Sequence, residues 1–292
     1  MTHSPLTYRS NNTFKIAQFT DIHIGYPNGE ADLKTLADFE TCLAHLDVDL
    51  IVITGDLVWA YGGLNPLLAF KQLIKRLNKV DIPVAITYGN HDSEYKITRS
   101  DLRQLETTLT HSVTKENSSL CQDRENYTLS IYDKVGDKIL HQLFLIDSGN
   151  EAPKEVGGYA YLFPEQINWF KQKELATKHS LLNLIFMHIP LVEYQYVKEK
   201  ITSGGQLEAI CCPKINTGLF SSLVLSPHNY QVFCGHDHDN NFTASLNQVG
   251  LNYGLISGYN VYGVFNRGYR EITLHHDQLT TRLVPYQKNP FS

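Results

Sequence analysis

The sequence predicts an α/β domain, and three observations predict it. Six apolar runs of strand length end in polar residues, helical patterns alternate with them, and histidines and carboxylates recur where the runs stop. Near-continuous apolar runs fit central strands covered on both faces.

The runs come in order. FKIAQFTDIH spans Phe14 to His23, VDLIVITGD spans Val48 to Asp56, and IPVAITYGNHD spans Ile82 to Asp92. LHQLFLIDSG follows from Leu140 to Gly149, LLNLIFMHIP from Leu181 to Pro190, and YQVFCGHDH from Tyr230 to His238. Between the first two, Ala31 to Leu46 sets Leu33, Leu36, Phe39 and Leu43 at helical spacing. Asn65 to Val80 opens on Asn-Pro, an N-cap followed by proline at the first helical position, and Pro164 to Thr177 also starts on proline. After Gly250 come three consecutive short strand patterns, which predict an antiparallel edge or second sheet. Residues 93–126 and 191–214 are polar and weakly patterned, and read as two insertions in a single domain covering 1–292.

Composition narrows the function classes. The chain has 292 residues, 42% hydrophobic and 19% charged, enough to bury a core without staples. A formal charge of -5 and no basic run disfavour a nucleic-acid partner. The five cysteines (Cys42, Cys121, Cys211, Cys212, Cys234) form no disulfide or zinc framework and read as reduced thiols. The N-terminal stretch lacks the pattern of a signal peptide and no apolar run has membrane length, so a cytoplasmic location and no membrane partner are expected.

The chemistry sits at the strand ends. The first run closes on Asp21-Ile22-His23, the second on Gly55-Asp56, and the third on Gly89-Asn90-His91-Asp92. The fifth closes on His188 and the sixth on Gly235-His236-Asp237-His238. Ligands of α/β sheets bind at the carboxyl ends of strands, so these residues can meet in one cleft. Each motif alone is as readily a polar turn or a hydrogen-bonded core histidine. Together, imidazoles and carboxylates suit a pair of borderline first-row ions (Mn, Fe, Zn or Ni), and a carboxylate can bridge two ions. Two such ions clamp attacking and leaving oxygens of a phosphoester and supply hydroxide near neutral pH.

The ordered set D-x-H, GD, GNH(D/E), H, GHxH resembles the calcineurin-like metallophosphoesterase superfamily. The resemblance implies a four-layer sandwich, two mixed sheets packed together with helices outside, and a two-metal site that hydrolyses phosphoesters with a metal-bound hydroxide. It implies that one ion takes Asp21, His23, His238 and a bridging Asp56, and that the other takes Asp56, Asn90, His188 and His236. His91 would contact the phosphate and leaving group without ligating. Asp92 would orient His91 or serve as a turn or N-cap residue. ICCPKINTGLF and YNVYGVFNRGYR look like the branch of fungal Dcr-type phosphatases and plant purple-acid-phosphatase-like proteins. Purple enzymes carry a ligating tyrosine in GDxxY. Trp59 occupies that position here, so a colourless centre is expected.

The expected partner is a small phosphorylated substrate, a phosphomonoester or a small phosphodiester. A nuclease and a non-catalytic scaffold of the same fold are the alternatives. Tyr194, Tyr196, Tyr253, Tyr259, Asn260 and Tyr262 are cleft candidates, with ordinary packing as the default for a chain of 17 tyrosines. Lys198 and Lys200 read as a solvated charge run or a phosphate contact. Asp237 and Asp239 read as turn residues, and Asp147 as a structural residue or a support for the site.

Overall fold

The computed structural model describes residues 5–175, 180 and 182–286. Its strands are β1 (Leu6–Thr7), β2 (Thr13–Thr20), β3 (Leu50–Thr54), β4 (Val84–Thr87), β5 (Glu116–Cys121), β6 (Arg124–Tyr132), β7 (Ile139–Ile146) and β8 (Leu182–Phe186). They continue as β9 (Ile201–Ser203), β10 (Asn229–Cys234), β11 (Thr243–Leu246), β12 (Val249–Tyr253), β13 (Leu255–Ile256), β14 (Gly268–His275) and β15 (Gln278–Pro285). The helices are α1 (Glu30–Ala44), α2 (Pro66–Leu77), α3 (Arg99–Glu106), α4 (Pro164–Glu174) and α5 (Leu219–Val224).

Both sheets are mixed. One runs β15-β14-β2-β3-β4, with β13 also beside β2; β2, β3 and β4 are parallel, and β14 is antiparallel to its neighbours. The other runs β1-β6-β7-β8-β10-β12-β11-β9, with β5 on β6, and β7, β8, β10 and β12 are parallel. Alternate residues along each strand face opposite layers. Ile16, Leu50 and Val52 meet Leu143, Leu145, Leu184 and Phe186 between the sheets. Their neighbours Ala17, Phe19, Ile51 and Ile53 face the other way, against Leu36, Phe39 and Leu43 of α1 and Phe70 and Leu73 of α2. On the far side Phe144 and Ile185 pack with Ile167 and Phe170 of α4. Burial on both faces is why the strands read as unbroken apolar runs.

The differences from expectation are local. Asn65 does cap α2, its side chain accepting from the Leu68 amide at 3.1 Å. At α4 the capping is reversed: Gln166 Oε1 accepts from the Phe163 amide at 3.0 Å. Leu33 is 58% exposed because it lies off the stripe of Leu36, Phe39 and Leu43. Residues 93–126 contain α3 and β5, whose short length and polar surface hid their periodicity. Of the C-terminal strand patterns, β14 and β15 form an antiparallel hairpin, but β12 joins the other sheet parallel to β10, and residues 261–267 form no strand. The expected end of the third helix, Thr177, and the expected start of the fifth strand, Leu181, lie outside the described residues.

The sheets are tied where their strands end. Gln18 Nε2 on β2 donates to Thr54 Oγ1 at 3.0 Å and, across the interface, to Cys234 O at 3.1 Å. Leu184 is fully buried between the sheets. Leu184→Ala is expected to lower unfolding stability by about 2–5 kcal/mol. Equilibrium denaturation checks this, as a lower midpoint at unchanged slope; an unchanged midpoint would place the inter-sheet core elsewhere.

Candidate metal centre

The strands stop before the motifs begin, so every motif residue lies in a loop at a strand's carboxyl end. Asp21 and His23 follow β2, Asp56 follows β3, and Asn90 follows β4. From the other sheet come His188 after β8 and His236 and His238 after β10. Backbone hydrogen bonds hold the loops together: Asp21 N donates to Gly55 O (3.1 Å), His23 N to Asp56 O (2.9 Å) and Gly235 N to His188 O (3.1 Å). Asp21, His23, Asp56 and His236 all adopt positive φ, at 54°, 50°, 51° and 81°. Left-handed backbone at four non-glycine residues in one site is local strain held by the surrounding fold. Gly89 has another constraint: a Cβ there would lie 2.2 Å from Asp56 Oδ1.

Two groups of donor atoms result. Asp21, His23 and His238 form one, Asp56, His188 and His236 the other, and within each the ligand atoms lie within 4.8 Å of one another. Asp56 links them. Its Oδ1 accepts from the His91 amide at 2.9 Å. Its Oδ2 lies 3.4 Å from His23 Nε2 and 3.1 Å from His188 Nε2. Asn90 Oδ1 joins the second group, 3.1 Å from His188 Nε2, and His236 Nδ1 lies 3.3 Å from the same nitrogen. In the first group His238 Nε2 is 3.5 Å from Asp21 Oδ1. The Asp21 carboxylate is fixed by the His236 amide, at 3.1 and 3.2 Å.

These residues fit two divalent cations. His188 Nδ1 faces the Thr54 carbonyl at 2.8 Å. A carbonyl only accepts, so Nδ1 carries a proton, and Nε2 points its lone pair at oxygens unless it is also protonated. Both nitrogens of His23, Nε2 of His236 and Nδ1 of His238 are buried without a hydrogen-bond partner. Buried carboxylates facing unpartnered imidazoles need positive charge between them. With protons alone to supply it, burial works against a charged His188, but Asp56 outweighs burial and raises its pKa to about 9. Burial pushes His23 and His236 down to about 3, so these rings stay neutral and ready to ligate.

The expected partner of His91 needs correction. Asp92 does not touch the His91 ring. Its Oδ2 accepts from the amides of Asp56 (2.9 Å) and Gly89 (2.8 Å), and its Oδ1 from that of Val58 (3.0 Å). Completely buried, it staples the Gly-Asp loop to the Gly-Asn-His-Asp loop. Glu94, which the sequence reading missed, takes the place beside His91, with Oε2 2.8 Å from Nδ1. Burial pulls the His91 pKa down, but Glu94 and Asp56 prevail and raise it to about 9. Asp147 supports the same loop indirectly. It pairs with buried Arg99 at 2.6 and 3.1 Å, and Arg99 also donates to Gly89 O at 2.8 Å.

The tyrosine candidates divide. Tyr259, Asn260 and Tyr262 line one cleft with His23, His91 and His238, and Trp59 lines it too. Tyr194 is buried, donating to Val232 O, and Tyr253 is buried against Asp237 at 2.5 Å. Asp237 is therefore an anchored core residue rather than a solvated one, also accepting from the Cys211 amide at 3.1 Å. Asp239 Oδ1 accepts from the Val264 amide. Tyr196, Lys198 and Lys200 are exposed on 3-10 turns. Tyr159, which no motif marks, sets its ring edge-on to His236 with centroids 4.2 Å apart.

Two expectations follow. Asp92→Ala strands three amides and should cost at least about 3 kcal/mol, at about 1–3 kcal/mol per buried unsatisfied group. Denaturation together with metal content checks this, and wild-type values for both would refute the staple. Divalent-ion binding must displace the His188 proton, so affinity should rise from pH 6 to 8 with protons released into weak buffer. Affinity independent of pH over that range would contradict the arrangement.

The comparisons with known proteins agree with this geometry. A family model described as calcineurin-like phosphoesterase matches residues 14–240. Two Arabidopsis thaliana proteins named probable inactive purple acid phosphatases 14 and 29 are each 28% identical, over 88% of this chain and 74% and 75% of theirs. Phosphatase DCR2 of Saccharomyces cerevisiae is 28% identical, over 82% of this chain and 47% of its own length. The fold is similar to that of a dimetal phosphatase from Danio rerio, at 14% identity and a TM-score of 0.67, covering 94% of this chain and 97% of that one. The matched stretch contains every residue of the two donor groups, and the chain belongs to the calcineurin-like phosphoesterase family.

Proposed function

We propose that the protein is a metal-dependent phosphohydrolase acting on phosphomonoesters or small phosphodiesters. The observation that carries this reading is Asp56 Oδ2, one oxygen within 3.4 Å of donor nitrogens from both groups. Asp21, His23, His238 and Asp56 would hold one divalent ion, and Asp56, Asn90, His188 and His236 the other. Ions so held would supply an activated water molecule and charge neutralisation at the phosphoryl oxygens. Donor types leave Mn, Fe, Zn and Ni open.

The chain's own residues have definite tasks. The Thr54 carbonyl fixes the His188 tautomer, and the His236 amide orients Asp21. His91, about one-third exposed and facing the cleft, is free to meet the ester. Glu94 at its Nδ1 favours the protonated ring, which leaves a proton on Nε2 for the departing alkoxide. Trp59 offers no ligand atom, so the centre would lack a tyrosinate and its colour. Among the described residues no helix is long and apolar enough to cross a membrane. A cytoplasmic location is part of this reading.

Some relatives bear names that call them inactive, which favours a second reading in which the centre binds metal without turnover. This chain retains all seven donors and His91, which supports catalysis. The test is hydrolysis of a generic phosphomonoester and a generic phosphodiester by chelator-stripped protein, before and after Mn²⁺ is restored. Turnover should appear with the ion and fall at least a hundredfold in Asp56→Asn, the scale of a lost transition-state interaction of about 3 kcal/mol. His91→Ala should lower turnover while metal content stays near wild type. Metal-loaded Asp56→Asn as active as wild type would overturn the bridge, and bound metal without turnover would select the second reading.

A further inference from the structure

The cleft at the first donor group has a wall that the phosphoryl chemistry does not require. His91, His23 and His238 form its floor as a row of edge-on rings, each step 5.2 Å between centroids. Tyr262 continues the row, its ring 4.3 Å from that of His238 at a tilt of 34°. Trp59 and Tyr259 line the same cleft, which encloses about 970 Å³ including its open mouth. No lysine or arginine lines it among the described residues. The one cationic ring there, His91, is committed to the ester, so a second anionic group on a substrate would find no further counter-ion, whereas a neutral planar ring would find faces on which to stack.

The wall is held in place before any ligand arrives. Arg267 donates to the carbonyls of Gly258 (2.7 Å), Gly263 (3.0 Å), Phe265 (2.6 Å) and Val261 (3.2 Å), clamping the loop that carries Tyr259 and Tyr262. Tyr262 OH donates to Glu208 Oε2 at 2.9 Å, and Tyr259 OH to Asp38 Oδ2 at 2.8 Å. Both hydroxyls are thus committed. Tyr262 nevertheless remains 58% exposed, an aromatic surface at the rim of the cleft. Trp59 is braced from behind: a Cβ on Gly62 would lie 2.3 Å from its indole. Fixed rings lose little freedom when a ligand stacks on them.

We infer that Trp59 and Tyr262 select the substrate, and that its class is a monophosphate ester whose alcohol carries a neutral planar aromatic ring, aryl or nucleobase. This rests on the phosphoesterase reading for the reaction, but ring recognition is separable from turnover. Two ester pairs match the leaving alcohol as a primary one: benzyl phosphate against cyclohexylmethyl phosphate, and a nucleoside 5′-monophosphate against ribose 5-phosphate. With Mn²⁺ restored, the ring-bearing member of at least one pair should show about tenfold higher kcat/KM, mainly through KM, a stacking contribution of about 1–1.5 kcal/mol. The responsive pair identifies the ring. Trp59→Leu and Tyr262→Leu should each lower that preference at least threefold at wild-type metal content. Equal rates within both pairs, or a preference intact in both variants, would overturn the inference.

Binding without chemistry is read from indole fluorescence, using benzylphosphonate and cyclohexylmethylphosphonate, whose C–P bonds are not hydrolysed. The other tryptophan, Trp169, is buried in α4 with its indole N–H on Asn117 O. The benzyl compound should perturb the emission, more weakly in Tyr262→Leu, while the cyclohexyl compound should not. If no ester turns over but this contrast holds, the catalytic reading fails and the aromatic site stands. If the two phosphonates behave alike, the aromatic site fails.

Discussion

Asp56 is sealed from solvent at φ 51°, with one carboxylate oxygen held by the His91 amide and the other turned toward imidazoles from both sheets. An ionised carboxylate in such a place is costly unless positive charge meets it. Asp21, also buried, adds a second negative charge to the same cavity. The surrounding loops answer that constraint. Gly89 leaves space where a Cβ would strike Asp56 Oδ1, and Asp92 gathers the amides of Asp56, Val58 and Gly89. Arg99, itself paired with Asp147, donates to the Gly89 carbonyl.

Strands of both sheets end together at this cavity. β2, β3 and β4 deliver the carboxylates, His23 and Asn90, while β8 and β10 deliver the imidazoles of His188, His236 and His238. The sandwich core fixes the distance between the two sets, and Gln18 bonds across it at the strand ends. Neither sheet alone carries a complete donor group. Around this rigid floor the cleft has a different character, built of aromatic rings on a loop clamped by Arg267.

Much of this was legible in the sequence because it rests on residue type and position along a strand. Apolar runs buried on both faces and terminated by Asp, Asn or His place the donors at strand ends without knowledge of the fold. What the sequence hid depends on side-chain direction. Asp92 next to His91 looks like its partner, but the turn sends its carboxylate inward to amides and leaves Glu94 to face the ring. Tyr194 and Tyr253 resemble Tyr259 and Tyr262 in composition, yet the first two point into the core. Asp237, between two histidines, has the local pattern of a turn residue, because a buried hydrogen bond to Tyr253 has no local signature. The C-terminal strands show as patterns, but β12 pairs with β10, and long-range pairing of this kind leaves no trace in periodicity.

The central claim is that one carboxylate joins two metal sites. Anomalous diffraction from crystals of the Mn²⁺-reconstituted protein tests it most directly. Two peaks about 3.5–4 Å apart, with Asp56 between them, are the expected result. A single peak, or two peaks with Asp56 bound to only one, would contradict the account.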